Sequence, residues 1–440
     1  MHHTLVVLLI PLLLIDCAPL VPLISVANIS MPSSLEANTT VASWRRPYLS
    51  EQEAAARIWL PEGHAHLSVL DLDPAHLAPA THRAQMAIFR HQFRSPAACS
   101  RAKYLQGGFS TSGLGSQLHI ATFHLAYAME TGRIFLWDAN AGADFATSSL
   151  CARQPTFLCF FTAPTNCTPG RASDVERLRR GMIHTARAAR AQRRSKDLVP
   201  EAALSLLRAA APRLAQTRAA RVQWWRGQAL AFLSRLNPTA LTRIRAIRYR
   251  AAAAHVVPST TRGVELLLRV PLPPGVVSVH VRHGDKALEM KLESWEAYLA
   301  KVSRAVAGLQ EAADSEMSVE VPSPAVLLTT DDPKVVTAAA SRARRPSAQC
   351  AALIYFDVPR LTKGTLHGRG KLVQKLGDEI VHQHLEQLMV ALEADAWVGT
   401  RESNIDRMTD ELRCIWVPKC GRGHRFYDLH PGAMQRAVVY

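Results

Sequence analysis

No two of the eight cysteines are separated by just two residues, so no Cys-x-x-Cys pair occurs. A structural zinc site built on that spacing is not expected. An unbroken membrane-length apolar run is also lacking. The run from Leu5 to Ile15 is broken by Pro11 and closed by Asp16, short of the ~20 residues that a span needs. No Lys or Arg precedes that run, only His2 and His3, so the basic region that opens a signal peptide is missing. Charge is sparse at 20% against 48% hydrophobic residues, which excludes a disordered chain. No repeat of solenoid period is visible.

The 440 residues suffice for about two to three domains. The formal charge of +16 favours anionic partners such as a nucleotide, acidic glycans, membrane headgroups or nucleic acid. A general enrichment in Arg and Ala would produce the same excess. The N-terminal apolar segment has the length of a signal, with a small-residue cleavage site at Ser25-Val26-Ala27. Residues 1–27 are therefore expected to be a signal peptide or signal-anchor directing entry into the secretory pathway. Once Cys17 is set aside, seven cysteines remain, with Cys151, Cys159 and Cys167 clustered and Cys414 near Cys420. Disulfides fit an oxidising compartment, but spacing alone does not assign the pairs, and an odd count leaves a free thiol or an intermolecular bond. Asn28, Asn38 and Asn166 open N-glycosylation sequons.

Residues 28 to about 90 show no sustained periodicity and read as a stem or irregular lead-in. Gly113-Leu114-Gly115-Ser116-Gln117-Leu118-His119 opens a helical pattern through Phe123, Tyr127 and Met129, followed by a strand at Arg133 to Trp137. Glycines at a helix start let its amides approach an anion; a tight turn before a core helix would look the same. The Arg- and Ala-rich stretch 171–197 has no aromatics and reads as an amphipathic helix with a solvated basic face, rather than a nucleic-acid site. Trp224-Trp225 on a helical pattern reads as core packing.

From about residue 271 strands and helices alternate. Strands are expected at Val276 to Val281, Val326 to Thr330, Ala351 to Phe356 and Ala396 to Thr400. Helices are expected from Lys334, over Gln374 to Glu393, and over Asn404 to Arg413. That alternation implies a parallel, doubly wound α/β sheet, whose ligands bind outside the carboxyl ends of the strands.

Three polar clusters fall at such ends. His280-Val281-Arg282-His283-Gly284-Asp285-Lys286 follows an apolar strand, with His280 and Arg282 on one side by alternation. Arg holds phosphate oxygens bidentately and Lys adds a mobile charge, although an Arg282–Asp285 surface ion pair is the plainer alternative. Thr329-Thr330-Asp331-Asp332-Pro333 places two carboxylates before a helix. Capping is favoured over a metal site because no third ligand of suitable spacing is visible. Gly399-Thr400-Arg401-Glu402-Ser403-Asn404 opens a helix whose amides, with Ser403, could cradle a phosphate.

These clusters, with GLGSQLH at 113–119, WWRGQ at 224–228 and ADAWVGTRESN at 394–404, resemble in content and order the alpha-1,6-fucosyltransferase family, glycosyltransferase family 23. That family includes the core-fucosylating enzymes of N-glycans and rhizobial chitin-oligosaccharide enzymes. The likeness spans about residues 100 to 415. It implies a GT-B-like fold of two Rossmann-like subdomains with the nucleotide-sugar cleft between them. It also implies GDP-fucose as donor, inversion at the anomeric carbon, no metal cofactor and a glycan or glycoprotein acceptor. On this chain it assigns Arg282 to the β-phosphate and His280 to the nucleotide. His283 and Asp285 complete that strand-end motif, and Ser403 and Asn404 contact the diphosphate. Gly113, Gly115, Gln117 and His119 form the N-terminal wall, Asp331 and Asp332 organise a loop, and Lys286 with a carboxylate faces the acceptor. Arg282 would stabilise the departing diphosphate and a carboxylate, with Glu289 as candidate, would take or orient the acceptor proton.

The chain departs from that pattern in places. Vertebrate-type members carry two adjacent arginines where Arg282-His283 stands. Glu289 lies one residue nearer the motif than the family's acceptor-side glutamate, and Gln387 stands where a guanine-reading Asp is expected, with Glu386 beside it. The long coiled-coil stem and the C-terminal SH3-like domain of animal members are not seen.

The resulting domain expectation is a lead-in at 28–95, an N-terminal subdomain at 96–270, a nucleotide-sugar-binding subdomain at 271–420 and a tail at 421–440. The expected activity is fucosyl transfer in the Golgi, luminal or membrane-anchored, with no nucleic-acid partner. The rivals are a transferase with another nucleotide sugar, a non-catalytic glycan-binding relative, and a nucleic-acid-binding protein.

Overall fold

A computed structural model describes residues 74–430 apart from 109–112, 140, 143–144, 147–150, 152–155, 171–173, 178–198, 253–255, 258–271, 273, 284–291, 316–324, 344–351, 357, 361–378, 414 and 417–424. In chain order the elements are α1 (Pro74–Gln92), α2 (Pro96–Ser100), β1 (Lys103–Gly107), α3 (Leu114–Glu130), β2 (Arg133–Trp137), β3 (Val175–Arg177), α4 (Glu201–Ala210), α5 (Pro212–Gln216), α6 (Arg218–Leu233) and α7 (Pro238–Ala252). They continue with β4 (Val256–Val257), β5 (Val276–Val281), α8 (Trp295–Ser315), β6 (Ala325–Thr330), α9 (Pro333–Ala343), β7 (Ala352–Tyr355), α10 (Ile380–Glu393), β8 (Ala396–Gly399), α11 (Asn404–Leu412) and β9 (Phe426–Asp428). No helix among the described residues is long and apolar enough to cross a membrane.

The chain is a mixed α/β protein with two largely parallel sheets. One has strand order β2-β1-β3, the other β4-β7-β6-β5-β8-β9 with only β4 antiparallel. In the larger sheet β5, β6 and β8 are almost wholly buried, as continuous apolar strands covered on both faces should be. Alternation sorts the side chains. Val277, Val279, Val281, Val326 and Leu328 pack under α8 and α9. Val276, Ala325, Leu327, Ala352 and Ile354 pack with Val390 and Ala391 of α10 on the other face. His280 and Arg282, at even positions, belong by the same parity to the α10 face.

α10 has two faces to satisfy. Ile380, Val381, Leu385, Leu388, Met389 and Leu392 enter the large core built by α1, α3, α6 and β2. Val390 and Ala391 close the sheet behind β5. Trp224 and Trp225 lie in the large core at 3% and 1% exposure, the packing role expected from sequence. Two buried carboxylates fix the entry to the sheet. Glu393 takes the Arg248 guanidinium on both oxygens and Leu272 N–H at 2.8 Å, and Asp395 takes Gly275 N–H at 2.7 Å.

Two expectations are corrected. Residues 74–92 form a docked helix within the stretch read as irregular lead-in. Its buried stripe is Ala80, Ala84 and Ile88, and mostly methyl groups at four-residue spacing make a faint periodic signal. Val175–Arg177, read as part of a helix, is instead a strand paired with Tyr104 to Gln106. Arg133 holds Glu176 at 3.1 Å and Arg177 donates to Gln106 at 3.1 Å, so cross-strand partners outweigh local helix preference. The remainder of that expected helix, from residue 178, lies outside the described residues.

The cysteines pair as Cys99–Cys167 and Cys151–Cys159, which resolves for those four what spacing left open.

Candidate functional site

Strand order in the larger sheet runs outward from β5 in both directions, through β6 and β7 on one side and β8 and β9 on the other. The order therefore reverses between β5 and β8. At such a reversal the connections leave to opposite faces, and a crevice opens beyond the carboxyl ends of the two strands. The two polar clusters Arg282-His283 and Thr400 to Asn404 stand at that crevice, and Asp331-Asp332 ends the neighbouring β6.

Each side chain at the β5 end is held from behind. The Arg282 guanidinium pairs with Asp331. His283 donates its backbone N–H to Asp331 at 2.9 Å. Its ring meets Asp332 Oδ2 at 2.9 Å through Nδ1 and the Glu293 carbonyl at 2.9 Å through Nε2. Asp332 also accepts Lys334 N–H at 2.9 Å, so it caps α9 as expected while orienting His283. The buried Tyr298 phenol bonds to the Arg282 backbone. Burial and the nearby Asp406 and Glu293 carboxylates push its ionisation far above the ordinary range. It thus stays a neutral post under the strand end. His280 Nδ1 lies 3.0 Å from Asp406 Oδ1, a close approach whose angles fall short of an aligned hydrogen bond.

Asp406 anchors the opposite lip. It is 1% exposed and accepts Thr400 N–H at 3.2 Å. Gly399 presses against it so closely that a Cβ there would lie 2.3 Å from Oδ1. The β8 end and the β5 end are thereby joined through one carboxylate. Ser403 stands at the N-cap of α11 without capping through its side chain, at 1% exposure.

The short helix α11 buries Asp406, Arg407, Asp410 and Glu411, and partners for these charges come from both halves of the chain. Glu411 receives His119 Nε2 of α3 at 2.9 Å and the Arg226 guanidinium of α6. Burial favours the neutral imidazole and pushes His119 below its ordinary value, against the pull of Glu411. Its contact is therefore a neutral N–H donating to the carboxylate, whose charge Arg226 balances. For Glu411, burial raises the carboxyl but Arg226 and His119 outweigh it, so its value is lowered. Asn404 donates to the Ser116 hydroxyl and its Oδ1 accepts from Arg407. Its side chain thus ties α11 to α3. Gly115 makes that approach possible, since a Cβ would sit 3.0 Å from Asn404 Cβ and 3.2 Å from Met408 Sδ. Among the described residues nothing crowds Gly113, which caps α3 through its backbone alone. Gln117 is buried and accepts Gly142 N–H at 3.4 Å.

Arg401 donates to Asp410 at 2.8 Å and stacks 4.7 Å above Phe426, while Asp428 takes its backbone N–H at 3.3 Å. Arg413 meets the other Asp410 oxygen at 2.9 Å. Burial raises the Asp410 carboxyl, but the two guanidiniums bring it below its usual value.

No protein-family model matches the sequence, and no curated protein matches it. Among solved structures the chain is similar to fucosyltransferase NodZ from Bradyrhizobium, at 14% identity over 71% of this chain and 93% of that one, with a TM-score of 0.34. It is similar to NodZ alpha-1,6-fucosyltransferase soaked with GDP-fucose, at 15% identity over 70% and 92%, with a TM-score of 0.35. It is also similar to a mutant of Arabidopsis thaliana FUT1 in complex with GDP, at 12% identity over 80% and 79%, with a TM-score of 0.38.

Of the residues expected at the site, His280, Arg282, His283, Asp331 and Asp332 gather at the ends of β5 and β6, and Ser403 and Asn404 at the start of α11. His119 joins them through Glu411 of the same helix. Asp285, Lys286 and Glu289 lie outside the described residues. Sequence reading missed Asp406, Tyr298, Arg360, His384 and His430. His384 of α10 donates from Nδ1 to the Ile380 carbonyl at 2.7 Å, leaving Nε2 with its lone pair. The surrounding walls lower its pKa, and Arg282, His280 and Arg360 add to that. The two guanidiniums of Arg282 and Arg360 thus lie within electrostatic reach of one imidazole that favours its neutral form. Arg360 is fixed by the carbonyls of Thr330 at 3.0 Å, Val358 at 3.1 Å and Phe356. A helix-face histidine has no sequence signal apart from its neighbours. Among the described residues no group of three or more His, Cys, Asp or Glu could hold a metal ion. A cavity of about 180 Å³ between α8 and α9, lined by Leu299, Val302, Val306 and Ala339, is apolar and lies on the other face of the sheet from the crevice.

Proposed function

We propose that this chain is a glycosyltransferase of GT-B-like architecture, moving fucose from GDP-fucose to a glycan with inversion at the anomeric carbon. An N-glycan or another GlcNAc-containing oligosaccharide is the proposed acceptor. The observation that carries the reading is the reversal of strand order at β5 and β8, with Arg282 and His280 on one lip and the α11 N-terminus on the other. A diphosphate fits cations on one side and helix amides on the other. The choice of fucose and of GDP rests on the resemblance of the motifs to the alpha-1,6-fucosyltransferase family.

In this reading the departing diphosphate gathers charge that Arg282 stabilises in place of a metal ion, with Asp331 having held the guanidinium in position. Tyr298 and Asp406 keep the two strand ends from shifting as charge develops. Ser403 and the first amides of α11 receive phosphate oxygens. The acceptor hydroxyl attacks the sugar carbon from the opposite face, losing its proton to a carboxylate for which Glu289 is the candidate. The two disulfides suit an oxidising compartment, and we place the protein in the secretory pathway, in the Golgi.

The test is metal-free release of GDP from GDP-fucose by residues 28–440 with a panel of GlcNAc-terminated glycans, beside Arg282→Ala. Glycan-dependent release that falls at least about tenfold in the variant supports the reading, one charge-assisted contact being worth that much. A thermal shift with UDP alone would keep a nucleotide-sugar site and replace the donor. No release and no shift with GDP or UDP would leave a non-catalytic glycan-binding relative.

A further inference from the structure

A hydrogen-bonded chain runs along the carboxyl edge of the larger sheet. Asp332 after β6 meets His283 after β5 at 2.9 Å, and His283 meets the Glu293 carbonyl at 2.9 Å. The Glu293 carboxylate meets His430 Nε2 at 3.1 Å, and His430 Nδ1 meets Glu402 at 2.9 Å. Glu402 belongs to the turn that opens α11, and Glu293 lies just before α8. His430 therefore bridges the β8 lip of the crevice to the segment that steadies His283 beside Arg282.

The bridge is built from both backbone and ring. Leu429 donates to the Gly399 carbonyl at 2.9 Å, and Asp428 collects the N–H groups of His430 at 3.1 Å and Arg401 at 3.3 Å. Those bonds seat His430 over the turn. Its two ring nitrogens then face two carboxylates, and only an imidazolium carries an N–H on both. The titratable and charged groups around it are Glu402 in the turn, Glu293 ahead of α8, Asp428 in β9 with its partner Arg401, His283 behind Glu293, and Tyr298 of α8, which is neutral. Burial by itself would disfavour the cation, but the two carboxylates outweigh it and raise the ring above its ordinary value.

We propose that His430 is a positioning residue of the donor site, a cationic clasp that holds the Thr400 to Ser403 turn against the Arg282 lip. The inference rests on the donor-binding reading above. The sign follows from the geometry: the clasp is closed while the ring is protonated and opens as pH rises through the ring's raised pKa. Two carboxylates and a neutral ring then remain, and the turn loses its tie.

The experiment measures GDP affinity by calorimetry at several values from about pH 6 to pH 8.5 for residues 28–440, His430→Gln and His430→Lys, a range that brackets the ordinary histidine value. The parent should weaken about tenfold across the range, the weight of one charge-assisted hydrogen bond. His430→Gln should bind weakly and evenly at every pH, and His430→Lys, a permanent cation, should bind tightly with a flat profile. A His430→Gln profile that matches the parent would overturn the clasp. Hydrogen exchange at residues 400–403 and 292–294 separates this failure from failure of the donor reading. If the parent binds no GDP, the donor reading falls. Protection at low pH that His430→Gln lacks would then still support the clasp, and equal protection would overturn it.

Discussion

Glu411→Gln should be one of the most damaging single substitutions outside the apolar core, although it removes only a charge. Glu411 is fully buried on α11, with His119 from α3 on one oxygen and Arg226 from α6 on the other. Removing one partner of a buried pair leaves the other desolvated and uncompensated, which costs about 3–5 kcal/mol. For a chain of this size that corresponds to a fall in Tm on the order of 10 °C. Arg407 sharpens the effect. Burial first, then Arg226, lower its pKa to about 10, and Glu411 is one of the groups that offset them. The assay is thermal unfolding by circular dichroism of the parent, Glu411→Gln, Arg226→Met and the Glu411→Gln/Arg226→Met double variant. The double variant should lie well above the sum of the single losses, because removing both charges leaves neither stranded. The pH dependence has a definite sign. The folded carboxyl is lowered, so its contribution is complete above the ordinary glutamate range and is lost as pH falls through the folded value. A Glu411→Gln protein with the parent's Tm, or strictly additive losses, would show that these charges are not coupled.

Other outcomes follow from single contacts. Asp406→Asn should weaken GDP binding about tenfold in calorimetry by removing the charge beside His280, and Gly399→Ala should do the same by driving a methyl into that carboxylate. Replacing Cys99 and Cys167 by serine should cost about 4 kcal/mol in denaturant melts and the Cys151–Cys159 pair about 2.5 kcal/mol, in line with separations of 68 and 8 residues. Asn166 holds both backbone groups of Arg94, at 3.1 Å and 3.0 Å, so peptide mass spectrometry of secreted protein should find this sequon largely without glycan.

The strands of the larger sheet were legible because a buried parallel strand is a continuous apolar run, and Val276–Val281 and Ala396–Gly399 carry little else. The polar residues at their ends were legible for the same reason: Arg282 and Ser403 interrupt a pattern. What could not be read were residues whose role comes from distant partners. Asp406 and Glu411 sit on a nine-residue helix with the composition of a solvated one, and only their contacts with His280, His119 and Arg226 explain their burial. Arg360 and His384 lie near no motif and reach the crevice through the packing of α10 and the carbonyls of Thr330, Val358 and Phe356. The helix at Pro74–Gln92 escaped because alanine supplies its buried stripe.

The two-sided packing of α10 also has a consequence for anyone who would divide the polypeptide. A fragment beginning at residue 271 would retain the larger sheet, apart from β4, but carry Ile380, Val381, Leu385, Leu388, Met389 and Leu392 into water with no core to receive them. Such a fragment should be recovered as aggregate, and the complementary piece ending near residue 270 should lack one wall of its own interior. The sheets change partway along the chain, yet folding is shared across that change, and the smallest autonomous unit must contain both.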